Sequence, residues 1–241
     1  MPYFWSLCKS ASGLQACEAL QGRGWVMQDL PGPDTQAVLL DIPGSRNPGL
    51  DFDLLPEGCR IFGGNLSGLV PDRLRTVDLL QDPLFLAKNA DITARCALRL
   101  VCGRLEETVL GLPVLVLGWG RIGKCLARHL KNLGADVTVF ARKETDRALL
   151  SALGYHSIGR KEMSDILPDY RVIFNTVPAP ILSSADTEGL SDCLLIDLAS
   201  TPGIEHSQVI HARGLPGKMA PISAGKLIAE TAERLWKEET A

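Results

Sequence analysis

Three glycines in the middle of the chain have the spacing of a diphosphate-binding turn. They belong to the hexapeptide Gly118-Trp119-Gly120-Arg121-Ile122-Gly123, between an apolar run and a helical pattern. In such a turn the first glycine permits a tight bend, the second lets the main chain approach a pyrophosphate, and the third lets the helix pack on its strand. The motif therefore predicts a turn that binds a dinucleotide, with all six residues as candidate cofactor-binding residues. The alternative is a domain that keeps these glycines for packing alone.

The strand that follows this turn ends in two cations instead of an acid. An NAD site usually has Asp or Glu there, to bond the ribose 2′-hydroxyl. This chain has Arg142 and Lys143. A guanidinium offers a planar fork of donors and an ammonium adds charge, so the pair suits a 2′-phosphate. We therefore predict NADP as the cofactor, with NAD as the alternative, against the simpler explanation of a solvated basic turn.

Polar and small residues follow two later apolar runs, in the segments NTVPAP (175–180) and DLASTP (197–202). Ligands of open α/β sheets bind at the carboxyl ends of the strands. We expect these segments to flank the nicotinamide, although ordinary turn chemistry would explain the same residues. The candidate cofactor-binding residues here are Thr176, Val177, Pro178, Asp197, Ala199 and Ser200. The sequence identifies no catalytic base.

Apolar runs alternate with helical patterns from residue 114 onward. The runs at 114–117, 137–140, 156–158, 172–176 and 194–198 indicate strands in the order β-α-β-α-β-α-β-β. This order predicts an α/β fold with a doubly wound parallel sheet of the Rossmann type.

Four segments divide the chain in our interpretation. Residues 1–82 form a second, smaller N-terminal α/β domain, with a helical stretch at 15–20 and a strand at 37–40, and its irregular pattern allows that it is degenerate. Residues 83–110 form a connecting helix, whose clearest periodicity covers 90–108. Residues 111–222 form the dinucleotide-binding domain, and 223–241 form a C-terminal helix that docks across the domains.

Composition narrows the class of protein. The 241 residues carry a net charge of −3, which gives no general attraction to nucleic acid or membrane surfaces, and we expect neither as a partner. The seven cysteines include no CxxC pair and the four histidines have no metal-ligand spacing, so we predict no metal site. No basic leader or apolar run of membrane-spanning length is present, which favours the cytoplasm.

Several segments together resemble the A subunit of dipicolinate synthase. They are LPVLVLGWGRIGKCLARHLKNLGADVTVFARK, VIFNTVPAPIL, LLIDLASTPG and APISAGKLIAE. The resemblance covers residue 82 to the C-terminus, and it extends more distantly to the nucleotide-binding domain of D-2-hydroxyacid dehydrogenases. The combination of NTVPA with DLASxPG is far more specific than the glycine turn.

The resemblance implies an NAD(P)-dependent oxidoreductase of sporulation. The enzyme would oxidise a cyclic dihydrodipicolinate-type dicarboxylate to dipicolinate, together with a flavoprotein-like second subunit, and we also expect a homo-oligomer. An alternative is a catalytically idle nucleotide-binding subunit with a regulatory or assembly role. A dehydrogenase for another small acid is a third possibility, although the Arg-Glu-His set of D-2-hydroxyacid dehydrogenases has no clear match.

Two departures from the family pattern concern the N-terminal half. The chain begins PYFWSLCKSASGLQ, where the family has an opening strand and a GGDxR-like turn. Arg95 stands where the family's NAxPTAEG helix entry has a Glu, and a charge reversal of this kind is not conservative. These departures favour the alternative of an idle subunit.

Overall fold

The chain folds into two α/β units, in a computed structural model that describes residues 1–44 and 51–238. The first unit consists of Met1–Ile92 and Pro216–Ala241, and the second of Thr93–Leu215. Residues 45–50 of the predicted N-terminal domain and 239–241 of the predicted C-terminal helix lie outside the described residues.

The first unit is built on a parallel sheet of five strands. They are β1 (Tyr3–Ser6), β2 (Val26–Gln28), β3 (Ala37–Leu39), β4 (Arg60–Gly63) and β5 (Arg75–Asp78). Their order is β2-β1-β3-β4-β5, which is doubly wound. The N-terminal domain is therefore not degenerate. The chain does have an opening strand, which the sequence analysis did not identify: Phe4 of β1 is fully buried and its strand pairs on both sides.

A cluster of aromatic side chains lies in the core of this unit. Trp25 meets three rings edge-on, with centroid distances of 6.0 Å to Phe4, 6.2 Å to Phe62 and 5.4 Å to Trp236. Edge-to-face contacts of this kind suit the ring quadrupoles and add to the stabilisation from buried area. These contacts join strands β1 and β4 to the chain segment before β2 and to helix α7.

Helices α1 (Ala11–Gln21) and α7 (Pro221–Glu238) pack along each other in the first unit. A Cβ placed on Gly225 would lie 2.8 Å from the Ala16 nitrogen, so the glycine permits this close approach. Helix α7 starts two residues before the predicted boundary at 223. A five-residue helix, α6 (Leu215–Met219), precedes it.

Helix α2 (Pro83–Cys102) starts earlier and ends earlier than the 90–108 pattern predicted. The Asp82 carboxylate accepts a hydrogen bond of 2.6 Å from the Phe85 nitrogen, as an N-cap does, and Pro83 suits the first helical position. Burial raises the pKa of the Asp82 carboxyl. The bond from the Phe85 nitrogen and an ion pair of 2.7 Å with Arg234 lower it by more, so that the pKa lies below its ordinary value. Short 3₁₀ helices lie at Phe52–Leu54, Leu79–Gln81 and Leu167–Asp169.

The second unit has a parallel sheet of six strands. They are β6 (Pro113–Leu117), β7 (Asp136–Phe140), β8 (His156–Ile158), β9 (Val172–Asn175), β10 (Leu194–Asp197) and β11 (Ile210–His211). Their order is β11-β10-β9-β6-β7-β8, so that the chain adds strands on one side of β6 and then on the other. This order confirms the predicted doubly wound sheet. The two-residue strand β11 was not predicted. Helices α3 (Arg121–Asn132), α4 (Glu144–Ala152) and α5 (Arg160–Ile166) complete the unit.

Central strands of this second sheet carry continuous apolar runs. Val114, Leu115, Val116 and Leu117 are fully buried, as are Ile173 and Phe174 on the neighbouring strand. Continuous apolar runs are typical of a sheet covered on both faces. No helix within residues 1–44 and 51–238 is long and apolar enough to cross a membrane.

Candidate nucleotide-binding site

The predicted glycine turn connects β6 to α3 at the carboxyl edge of the second sheet. Gly118 has φ +106°, and a Cβ there would lie 2.7 Å from the Thr176 hydroxyl oxygen. A Cβ on Gly123 would overlap the Gly118 carbonyl oxygen and lie 3.1 Å from the Gly118 carbonyl carbon. The first and third glycines are therefore required for packing, because any side chain would push apart the turn, the helix and β9.

The second glycine, Gly120, has open space in front of it. Apart from its chain neighbours, no heavy atom of the described residues lies within 4 Å of a Cβ placed there. Gly120 is the N-cap of α3 and has no side chain to accept a hydrogen bond from the first amides of the helix. These amides and the helix dipole favour an anion at this point. The turn thus fits a diphosphate, which would approach over Gly120.

Trp119 packs beside the helix. Its indole contacts Tyr155 edge-on at a centroid distance of 5.8 Å, and the Lys124 ammonium lies 5.6 Å from the centroid of the ring. The indole N–H is buried and finds no hydrogen-bond acceptor among the described residues. Burial raises the pKa of the Tyr155 hydroxyl, so this residue is neutral at pH 7. The contacts on the ring hold Trp119 in a defined position next to Gly120.

The end of β7 lies next to the glycine turn, since the Gly118 nitrogen donates a 3.0 Å bond to the Phe140 oxygen. Arg142 and Lys143 are exposed there and form no ion pair with any residue that the structure describes. Arg147 shapes this turn by donating to the oxygens of Ala141 and Arg142 at 2.9 and 3.0 Å. Sequence reasoning missed Arg147, whose role depends on the folded shape of this turn.

The segments after β9 and β10 are joined by a buried pair, Asn175 and Asp197. The Asn175 amide donates to an Asp197 oxygen at 3.0 Å. The Asp197 oxygens also accept from the nitrogens of Ala199 at 3.0 Å and Gly203 at 2.7 Å. Because Asp197 is 1% exposed and both its oxygens are engaged, its side chain positions the two segments. Sequence reasoning placed Asn175 in the first of these segments without selecting it as a binding residue, and it missed Gly203.

The other predicted residues are divided between this network and the exposed edge. Thr176 donates to the Leu117 oxygen at 2.9 Å and contacts the glycine turn. The Val177 nitrogen donates to the Asn175 side-chain oxygen at 2.9 Å. Ala199 is buried, whereas Pro178 and Ser200 are exposed at the carboxyl edge of the sheet. The structure therefore brings together the glycine turn, Thr176 and the two strand-end segments.

Arg213 is a further cation at this edge that the sequence analysis did not select. It follows β11, is exposed, and donates through Nε to the Ala199 oxygen at 3.1 Å. No motif marks it, because its neighbour Ala199 is 14 residues away along the chain.

Comparisons with known proteins confirm the resemblance. No protein-family model matches the chain. It is 28% identical over 201 residues to the A subunit of dipicolinate synthase from Bacillus subtilis strain 168. The aligned region covers 78% of this chain and 68% of that protein. The crystal structure of the A subunit of dipicolinate synthase from Bacillus halodurans superposes with a TM-score of 0.85 and 23% identity, over 97% of each chain.

The more distant resemblance is also found in the fold. A D-isomer-specific 2-hydroxyacid dehydrogenase from Xanthobacter autotrophicus superposes with a TM-score of 0.52 and 15% identity, over 98% of this chain and 97% of that one. The chain therefore resembles the A subunit of dipicolinate synthase and has the two-unit fold of the dehydrogenases.

Proposed function

We propose that this chain is an NADP-linked oxidoreductase that converts a cyclic dihydrodipicolinate-type precursor to dipicolinate in the cytoplasm of sporulating cells. The observation that carries the proposal is the turn between β6 and α3, where an uncapped helix start lies behind open space at Gly120. The similarity to the A subunit of dipicolinate synthase supports the choice of substrate.

In the proposed reaction the ring of the precursor loses a hydride and a proton and becomes aromatic, while the hydride reduces NADP⁺ to NADPH and the proton is released to the solvent. When bound, the nicotinamide supplies the hydride acceptor. The protein's contribution is to hold the donor carbon in place and to exclude competing geometries. The aromatic product favours the forward direction.

Each group of site residues has a role in this proposal. The first amides of α3 and the main chain at Gly120 would hold the diphosphate. Arg142 and Lys143, which have no acidic partner among the described residues, would hold the 2′-phosphate. The Asn175–Asp197 pair would fix the two strand-end segments beside the nicotinamide. Thr176, Val177, Pro178, Ala199 and Ser200 belong to those segments.

Nucleotide binding is tested first by thermal unfolding. NADP should raise the melting temperature more than NAD at equal concentration, because Arg142 and Lys143 would bind its 2′-phosphate and so lower its Kd. A ligand that binds only the folded state stabilises it by about 2.7 kcal/mol when its concentration is a hundredfold above Kd. Arg142→Glu should remove this preference. Arg104→Glu, at another exposed arginine of the same unit, is the control for the change of charge. A preference for NADP that survives Arg142→Glu would contradict the role of the cation pair.

Turnover is tested with dihydrodipicolinate and NADP⁺, by following the absorbance of NADPH. The assay is run with the chain alone and with the second, flavoprotein-like subunit that we propose as its partner, and the size of the assembly is measured by light scattering. We expect turnover and a homo-oligomer. Tight NADP binding without turnover in either arm would instead favour an idle nucleotide-binding subunit.

A further inference from the structure

Arg213 differs from Arg147 and Arg171, two other arginines of the second unit, in that its guanidinium makes fewer hydrogen bonds to the described residues. Arg147 donates to two carbonyl oxygens, and Arg171 donates to Glu107 and to the Asp192 oxygen. The Arg213 guanidinium makes one hydrogen bond to the described residues, from Nε to the Ala199 oxygen at 3.1 Å. That bond orients the group and leaves its two terminal nitrogens, a planar fork of donors, for a ligand.

The sheet order places Arg213 at the opposite end of the site from the phosphate-binding cations. Asp197 pairs with His211, so Arg213 lies two residues beyond the last pairing of β11 with β10. Neighbouring strands are about 4.8 Å apart, which puts the end of β11 about 14 Å from the end of β6. A dinucleotide that runs from β7 across β6 would bring its nicotinamide over β9 and β10. The substrate beside it is then next to β11.

The charge at this side of the sheet is sparse. The segments after β9, β10 and β11 (176–180, 198–203 and 212–215) contain a single Lys, Arg, Asp or Glu, which is Arg213. The adjacent Asp197 carboxylate is buried and satisfied by main-chain and amide donors. A substrate with carboxylates therefore meets one cation in these segments, and no fixed acid within them competes for it.

We propose that Arg213 binds a carboxylate of the substrate and so determines the enzyme's specificity for ring dicarboxylates. The inference rests on the proposed function, since it takes the nicotinamide side of the site from bound NADP. Two terminal N–H donors match the two oxygens of a carboxylate in the bidentate geometry that a lysine does not offer.

The test measures two dissociation constants by calorimetry, for dipicolinate in the presence of NADP and for NADP alone. In Arg213→Gln the Kd for dipicolinate should rise by roughly tenfold to a hundredfold, as for the loss of a charge-assisted hydrogen bond, while the Kd for NADP is unchanged. Arg213→Lys should give an intermediate value. Arg128→Gln, which removes an exposed arginine from α3, is the matched control and should leave both constants unchanged.

Other outcomes would overturn the inference in separable ways. Equal dipicolinate binding by Arg213→Gln and the wild type would show that Arg213 does not contact the ligand. Equal increases in both constants would show that the bond to Ala199 merely supports the cofactor segment. A wild-type protein that binds NADP but not dipicolinate would overturn the proposed substrate, and the role of Arg213 with it.

Discussion

Each unit contains a strand, a turn and a helix in succession, β1 to α1 in the first and β6 to α3 in the second, yet the two turns differ in what satisfies their amides. In each turn the third residue of the helix is a glycine, Gly13 in α1 and Gly123 in α3. A Cβ on Gly13 would lie 2.5 Å from an Asp41 oxygen and 2.6 Å from the Cys8 Cβ. A Cβ on Gly123 would overlap Gly118. Both helices thus start against the turn that precedes them.

The N-terminal turn is filled by the protein's own polar groups. Ser10 caps α1 by accepting a 3.0 Å bond from the Gly13 nitrogen. The buried Asp41 carboxylate accepts from the Lys9 nitrogen at 2.9 Å, from the Ser10 nitrogen at 3.2 Å, and from the Ser10 hydroxyl. A carboxylate therefore already occupies the place where an external anion would bind. Gly120 offers no such group to α3, so the same architecture leaves its amides available.

A third difference between the two turns is Cys8, which stands where the second turn has a glycine. Counted back from the helical glycine, Cys8 holds the position that Gly118 holds in the second unit. A hydrogen bond to Cys17 and burial raise the pKa of the Cys8 thiol, so it stays protonated and adds no charge beside Asp41. The comparison shows that the chain's own polar groups satisfy the start of α1, whereas the cap position of α3 supplies no side chain to its amides.

The largest expected effect is from Gly123→Ala. The added methyl group meets main-chain atoms of Gly118, which cannot move without displacing β6, so we expect destabilisation of about 3 kcal/mol or more, as for severe overpacking. Urea unfolding followed by circular dichroism measures the change. Gly111→Ala, whose Cβ would meet nothing within 4 Å but whose φ is +69°, serves as the control for backbone strain alone. Equal losses in the two variants would contradict the packing argument.

Asp41→Ala should have the next largest effect and should act on the other turn. The substitution leaves the Lys9 and Ser10 amides without their acceptor, and we expect a loss of about 2 to 3 kcal/mol in the free energy of unfolding. Asp41→Asn, which keeps one acceptor oxygen, should lose less. The Kd for NADP should not change in either variant, and a large change in it would show that the two turns are not independent.

The second sheet was predictable from sequence because its central strands contain continuous apolar runs. Pro113–Leu117 and Val172–Asn175 are compact runs of mostly apolar residues, and the glycine spacing marks the turn between β6 and α3. Strands of the first sheet are three or four residues long, and β2 has two exposed positions. Exposed positions also interrupt β1 and β5, so none of β1, β2 and β5 is a continuous buried run, and these strands were missed together with β4.

Within the site, local motifs were predictable and long-range partners were not. The glycine turn and the cations after β7 follow from the spacing of residues within 30 positions. The engagement of Asp197 by Asn175, and that of Arg213 by Ala199, depends on which strands become neighbours in the sheet. A single sequence carries no direct signal of that order.

Gly120→Asp should have the smallest effect on stability and tests the comparison most directly, because it gives the second turn the carboxylate that the first turn has. At the N-cap the new side chain can accept from the amides of α3, as Ser10 does from Gly13, and should stabilise the ligand-free protein by a few tenths of a kcal/mol. The same carboxylate repels a diphosphate, so the Kd for NADP should rise at least roughly tenfold, a loss of about 1.4 kcal/mol. Gly120→Ala is the matched control, since its methyl group fills the open space without charge. If the two variants weaken NADP binding equally while neither changes stability, space alone governs the turn, and the difference between the two helix starts does not lie in their caps.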